Sequence, residues 1–264
     1  MSEANVKTIS EETEREQGIR YAAQSITGTR EQQQDTLFVG ENHGALFAIV
    51  CDGMGGLDSG DKASAAATET FIRSFYEEYQ PGLTRIPDFL RDTAFKADMN
   101  VCGLRSTAYD SPGTGTTAVA IMIENNSLYW MSIGDSKVYI WRNGQMICPV
   151  QMHNCRTLLE SQLKSGYIDQ IRYDEEIARG DALTSYIGIG GIRLIEINRI
   201  PLKLEKNDVV LLCSDGLYKK LTDEQINEII SMRVAVQVRI RYLLDRVSQS
   251  PGNIDNTSIV LIET

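Results

Sequence analysis

Histidine is almost missing from this sequence: His43 and His153 are the only two in 264 residues. They stand far apart, and each is expected as a surface or loop residue, so an imidazole-rich zinc site is excluded. Cysteine is sparse as well. Cys51, Cys102, Cys148, Cys155 and Cys213 are odd in number and form no CxxC pair. That argues against a disulfide framework or zinc knuckle and fits a reducing, cytoplasmic setting. No cysteine is followed six positions later by arginine, which removes a Cys-x5-Arg phosphate-cradling loop and its thiol nucleophile.

Long apolar runs are absent too. The longest, Thr117–Ile123, falls far short of the ~18 residues that cross a bilayer. The opening MSEANVKTISEETEREQ has no basic start followed by an apolar core, so no secretory signal is expected and residues 1–17 read as a loosely structured lead-in. Basic charge is in deficit: 26 Lys and Arg stand against 36 Asp and Glu, a net charge of −10. Nucleic acid and anionic membrane, which need a basic face, are therefore not expected partners.

What remains is ordinary globular composition, 42% hydrophobic and 23% charged, with neither an internal repeat nor a low-complexity linker. One domain over residues 18–264 is expected. Apolar runs bounded by turn residues predict strands near 19–27, 36–40, 45–51, 116–123, 127–133, 137–141, 193–199, 208–213 and 257–263. Asn143-Gly144 supplies the two positive-φ positions of a tight hairpin turn.

Helices interrupt the strands in pairs. Ala63, Ala67, Phe71 and Phe75 recur every fourth position within Ser59–Tyr79, and Pro87 opens a second helix with Leu90, Ala94, Ala97, Val101 and Leu104 on one face. Late in the chain Thr222 and Gln225 form a capping box, and Val236, Ile240, Leu243 and Val247 give a further amphipathic face. Residues 148–182 are less regular, with one short helical pattern over Thr157–Lys164. Two helix pairs among many strands imply two packed sheets with helices on their outer faces.

Five aspartates punctuate the ends of the apolar strands. Asp52 follows Phe47–Cys51, Asp135 follows Ser132-Ile133-Gly134, Asp215 follows Val209–Cys213, Asp255 precedes Thr257–Ile262, and Asp35 precedes Thr36–Val39. Strand ends of packed sheets converge, and gathered carboxylates repel unless cations compensate them. All-oxygen ligands with no Cys or His point to Mg²⁺ or Mn²⁺. The loop after Asp52, Gly53-Met54-Gly55-Gly56, would bring backbone close to such an ion, with the Gly53 carbonyl as a further ligand.

These motifs, in order, resemble the protein phosphatase 2C family of metal-dependent protein serine/threonine phosphatases, in its bacterial form. The likeness rests on GTREQQQD (28–35), VCDGMGG (50–56), GTGTT (113–117), SIGDSKVYIWRNG (132–144), LTSYIG (183–188), LLCSDGL (211–217) and DNTSIVLI (255–262).

The resemblance implies an α+β fold, a four-layer α/β/β/α sandwich of two mainly antiparallel sheets flanked by helix pairs. It implies two core Mn²⁺ or Mg²⁺ ions and a weaker third. Asp52 would bridge the core pair, with the Gly53 carbonyl on one ion and Asp215 and Asp255 on the other. Asp135 would join Asp215 at the third. Arg30 would grip the substrate phosphate, and Asp35 would orient metal-bound water. Residues 148–182 fall where the family has a mobile flap, and they lack its Asp-His-Ser. Gln33 and Gln34 replace the usual Asn and Glu, and Met54 replaces a histidine common in eukaryotic relatives.

The implied activity is hydrolysis of phosphoserine and phosphothreonine on proteins by a monomer, with a serine/threonine kinase as counterpart. The alternative is a regulatory or binding module on the same fold with little activity, for which Gln34 is the best support.

Overall fold

The fold is described from a computed structural model, which covers residues 18–55, 59–104 and 114–264, together with the backbone of residues 7–9. Gly56 and Gly113, which belong to two of the quoted motifs, lie outside the described residues, as does the rest of the lead-in.

Two antiparallel sheets form the centre. The first has the order β1 (Lys7–Ile9), β2 (Arg20–Ile26), β13 (Thr257–Glu263), β12 (Val209–Cys213), β8 (Lys137–Arg142) and β9 (Gln145–Ile147). The second runs β10 (Glu196–Ile197), β7 (Ser127–Ile133), β6 (Ala118–Glu124), β4 (Ala45–Met54) and β3 (Asp35–Asn42). At its margins β5 (Gly115–Thr116) pairs with β4 and β11 (Leu202–Lys203) with β7. The Asn143-Gly144 turn closes the β8–β9 hairpin with φ of 51° and 83°, setting Arg142 opposite Gln145.

Three apolar layers bind this stack, and each follows from strand alternation and helix periodicity. Between the sheets lie Leu46, Ala48 and Val50 of β4 with Val210, Leu212, Val260 and Ile262 of the first sheet. The alternate β4 residues, Phe47, Ile49 and Cys51, turn outward against α1 (Gly60–Glu77) and α2 (Ile86–Gly103). The every-fourth set Ala63, Ala67, Phe71 and Phe75 is fully buried there. Leu211, Cys213 and Leu261 face the other way, onto α6 (Asp223–Ile230) and α7 (Val236–Ser248) through Ile226, Ile240, Leu243 and Val247. The result is the expected α/β/β/α sandwich.

Several local expectations need correction. The strand foreseen at 193–199 shrinks to the two residues of β10. Leu104, placed on the apolar face of α2, is its C-cap residue and stays exposed. His153 is a loop residue but a buried one. Within the lead-in, residues 7–9 pair with β2. The irregular segment holds α3 (Cys155–Lys164), capped by Asn154, and an unforeseen α4 (Gln170–Glu176), capped by Asp169. Also unforeseen is α5 (Asp215–Tyr218), a single turn directly after β12. All five cysteines are free thiols.

Candidate metal centre

Register places the first two acids. The β3–β4 ladder sets Asp35 directly opposite Asp52, as its last pair. Asp52 is held from behind: its N–H donates to Thr117 Oγ1 (3.0 Å), and its carbonyl accepts from the Thr117 N–H and Thr116 Oγ1, both at 2.9 Å. Gly53 continues the strand, donating its N–H to the Gln34 carbonyl at 3.0 Å. A side chain cannot fit there, because a Cβ would lie 2.1 Å from the Gly60 carbonyl oxygen. Glycine at position 53 is therefore required by the close approach of α1 to β4, whatever else it does.

Asp135 is fixed from three directions. Gly134 before it has φ +97°, and its N–H donates to His153 Nδ1 at 3.2 Å. Its carbonyl accepts from the His153 N–H at 2.8 Å, and the Tyr218 hydroxyl donates to the Asp135 carbonyl at 3.0 Å. Ser136 Oγ lies 2.7 Å from Thr117 Oγ1, so the Asp135 turn and the Asp52 backbone share one threonine.

Asp215 opens α5 and Asp255 precedes β13, and both carboxylates meet a basic side chain. Lys219 Nζ lies 2.5 Å from Asp215 Oδ2, one helical turn on, and Arg30 Nη2 lies 2.6 Å from Asp255 Oδ2. The Arg30 loop is itself tied to Asp255 through its neighbours. Thr29 and Ile254 exchange hydrogen bonds, and the Asn256 side chain accepts from the Gln34 N–H (2.8 Å) while donating to the Thr27 and Gln32 carbonyls.

The expected convergence is real at the level of charge. Burial raises the Asp52 carboxyl well above its ordinary value, and the charges of Asp35, Asp215, Asp135 and Asp255 raise it further, in that order. Asp35 is pushed up to about 7, chiefly by burial, with Ser214 Oγ donating to its Oδ2 at 2.7 Å as the main opposing effect. Its Oδ1 is buried with no partner. Asp135 rises to about 6, through burial first and Asp215 second.

At the level of ligation it is looser. Among the described residues no three carboxylate, imidazole or thiolate groups stand close enough to grip one ion. Lys219 and Arg30 draw two of the five acids aside.

The donor set nevertheless fits a hard divalent cation. It is all oxygen, it is backed by rigid strand ends, and it holds a half-satisfied buried carboxylate at Asp35 that a cation would relieve. Sequence reasoning missed Ser214, Asn256, His153, Tyr218 and Lys219. Only Lys219 carried a local signal, its i+4 spacing from Asp215.

The chain matches the protein phosphatase 2C family model over residues 25–250. It is 26% identical over 236 residues to the serine/threonine phosphatase Stp of Listeria monocytogenes, spanning 84% of this chain and 89% of the relative. The serine/threonine phosphatase of S. agalactiae shares the fold with a TM-score of 0.81 at 22% identity, covering 93% and 99% of the two chains. The catalytic domain of the phosphatase PstP, solved in complex with two manganese ions, does so with a TM-score of 0.72 at 23% identity, covering 93% and 97%. With the family model spanning β3 to β12, both helix pairs and four of the five aspartates, this chain belongs to the protein phosphatase 2C family.

Proposed function

We propose that the protein hydrolyses phosphoserine and phosphothreonine on protein substrates with Mn²⁺ or Mg²⁺. The observation that carries this reading is the setting of Asp52: a carboxylate directly opposite Asp35 on the β3–β4 ladder, whose charge is opposed by four other aspartates at one rim. A fold gains nothing from such an arrangement unless a cation enters it. Divalent ions there would supply Lewis-acid charge to the phosphoryl oxygens and lower the pKa of water.

The chain's own residues divide the remaining work. In this reading Asp52 and the Gly53 carbonyl would hold the core ions together with Asp215 and Asp255, and Asp135 would join Asp215 as the outer ligand. Arg30, half-exposed on its loop, can exchange Asp255 for a substrate phosphate, whose paired oxygens suit its planar fork. Asp35 is anchored by Ser214 on one oxygen and leaves the other to orient a water. Met54 offers no proton, so no side chain at that position serves as general acid.

The domain is assigned to residues 18–264, with 148–182 as a flap beside Asp135. The protein is read as a cytoplasmic monomer opposed to a serine/threonine kinase. Among the described residues no helix is long and apolar enough to cross a membrane.

Release of phosphate from a phosphothreonine peptide, measured with manganese and then with chelator, tests the reading. Manganese-dependent turnover is expected. Inactivity in millimolar manganese would instead favour the binding module, with Gln34 in place of the usual acid.

A further inference from the structure

A second cavity, of about 810 Å³, lies at the far end of the first sheet. It opens where β2 and β12 begin and β13 ends, whereas Arg30, Asp215 and Asp255 lie past the opposite ends of those strands. Seven strand residues at ~3.3 Å each put roughly 20 Å between the two places. An occupant of this cavity therefore touches none of the rim aspartates.

Its wall is basic in an acidic protein. Arg20, Lys206, Arg233 and Arg239 line it, with Glu263 as the one carboxylate. Glu263 is already committed to two of them: it takes Arg20 at 3.1 Å and also Arg239. Lys206 and Arg233, both exposed, form no ion pair among the described residues. The chain as a whole carries −10, so this wall runs against the overall charge.

Two buried donors in the same wall are unsatisfied. Arg239 is 2% exposed, and its Nη1 donates to the Ile230 carbonyl at 2.9 Å, yet its Nε has no partner. The Trp141 indole Nε1 is likewise buried without one. Both atoms are shielded from solvent, so an occupant of the cavity meets other parts of these two side chains and not the unmatched N–H groups. The volume falls within the range of small-molecule sites.

We infer that this cavity binds a small organic anion of the nucleoside phosphate class, its phosphate oxygens on Lys206 and Arg233 and its ring beside Trp141. The chemistry follows from the wall: two exposed cations for the phosphates, and the Trp141 side chain beside them for stacking of a ring.

The test is direct because Trp130 and Trp141 are the only tryptophans. In a Trp130→Phe background, Trp141 fluorescence reports the cavity. ADP is titrated into the full chain in the presence of chelator, so that no divalent ion recruits phosphate to the aspartate rim. A saturable change with Kd below about 1 mM is expected, weakened about tenfold by Lys206→Ala and by Arg233→Ala, and unmoved by Asp52→Asn. Adenosine should bind far more weakly. The inference is overturned if ADP gives no saturable change up to about 10 mM, if Lys206→Ala and Arg233→Ala bind it as tightly as the parent, or if adenosine matches ADP.

Discussion

Asp35 and Asp52 form a cross-strand pair of like charge, directly opposed at the end of the β3–β4 ladder. Such a pair is destabilising in any sheet, and here Asp215, Asp135 and Asp255 add to it at Asp52. The repulsion has a consequence in pH. Asp35 is raised to about 7, mainly by burial, and Asp52 is raised as well.

A carboxyl whose folded pKa is raised stabilises the fold below its unfolded pKa, and that stability is lost as pH climbs through the folded value. His153, held below its ordinary value by burial, acts in the opposite sense but only under about pH 6.5. The metal-free protein should therefore melt lower at pH 8.5 than at pH 6.5, by about 2 °C for each kcal/mol lost. Melting curves in chelator measure this, and saturating manganese should flatten the slope. A chelated protein more stable at the higher pH contradicts the placement of these acids.

Asp52→Asn separates fold from function. The amide keeps the size and removes the charge that four neighbours oppose, so the chelated variant should melt no lower than the parent. Turnover on a phosphothreonine peptide should fall at least about a hundredfold, since several kcal/mol of transition-state charge stabilisation is at stake. Loss of activity together with early melting would instead mark Asp52 as structural.

The strand skeleton was legible because each strand is a local pattern. Ser127–Ile133 matches its expected bounds, and the capping box at Thr222 and Gln225 is present in both its hydrogen bonds. The acids at strand ends were legible for the same reason. Their partners were not. His153 reaches Gly134 across 19 residues and Asn256 reaches Gln34 across 222, and no periodicity encodes such distances. A four-residue helix such as α5 is too short to show a face. The strand expected at 193–199 gave way because only Glu196 and Ile197 pair in ladder register with β7, and at Asn198 the side chain takes over, accepting from the Trp130 N–H and donating to the Leu128 carbonyl.

His153 illustrates what local reading could not supply. The turn carrying Asp135 is joined to the start of the 148–182 segment by the paired hydrogen bonds between Gly134 and His153. Asn154, the next residue, caps α3. His153→Ala leaves the buried Gly134 N–H without an acceptor and should cost about 1–3 kcal/mol of stability. It should also weaken the weakest manganese isotherm in calorimetry while sparing the tighter ones. A variant that loses every isotherm would show that His153 supports the whole rim and not the Asp135 turn alone.

In the proposed function Arg30 would stand between substrate and metal. Its guanidinium holds Asp255 at 2.6 Å, so Arg30 binds the same carboxylate that a cation would claim. Removing it should have two effects of opposite sign. Arg30→Ala should raise KM for a phosphothreonine peptide about tenfold or more, because a charge-assisted bidentate contact of roughly 1.5–3 kcal/mol disappears. It should also tighten manganese binding, since Asp255 no longer has to leave an ion pair before meeting the ion. The pair is half-exposed and solvent-screened, so this second gain should be small, about threefold or less. Calorimetry beside steady-state kinetics distinguishes the two. Weaker manganese binding in the variant would mean that Arg30 positions Asp255 for the metal, and its contact with the carboxylate would then be support where competition is expected here.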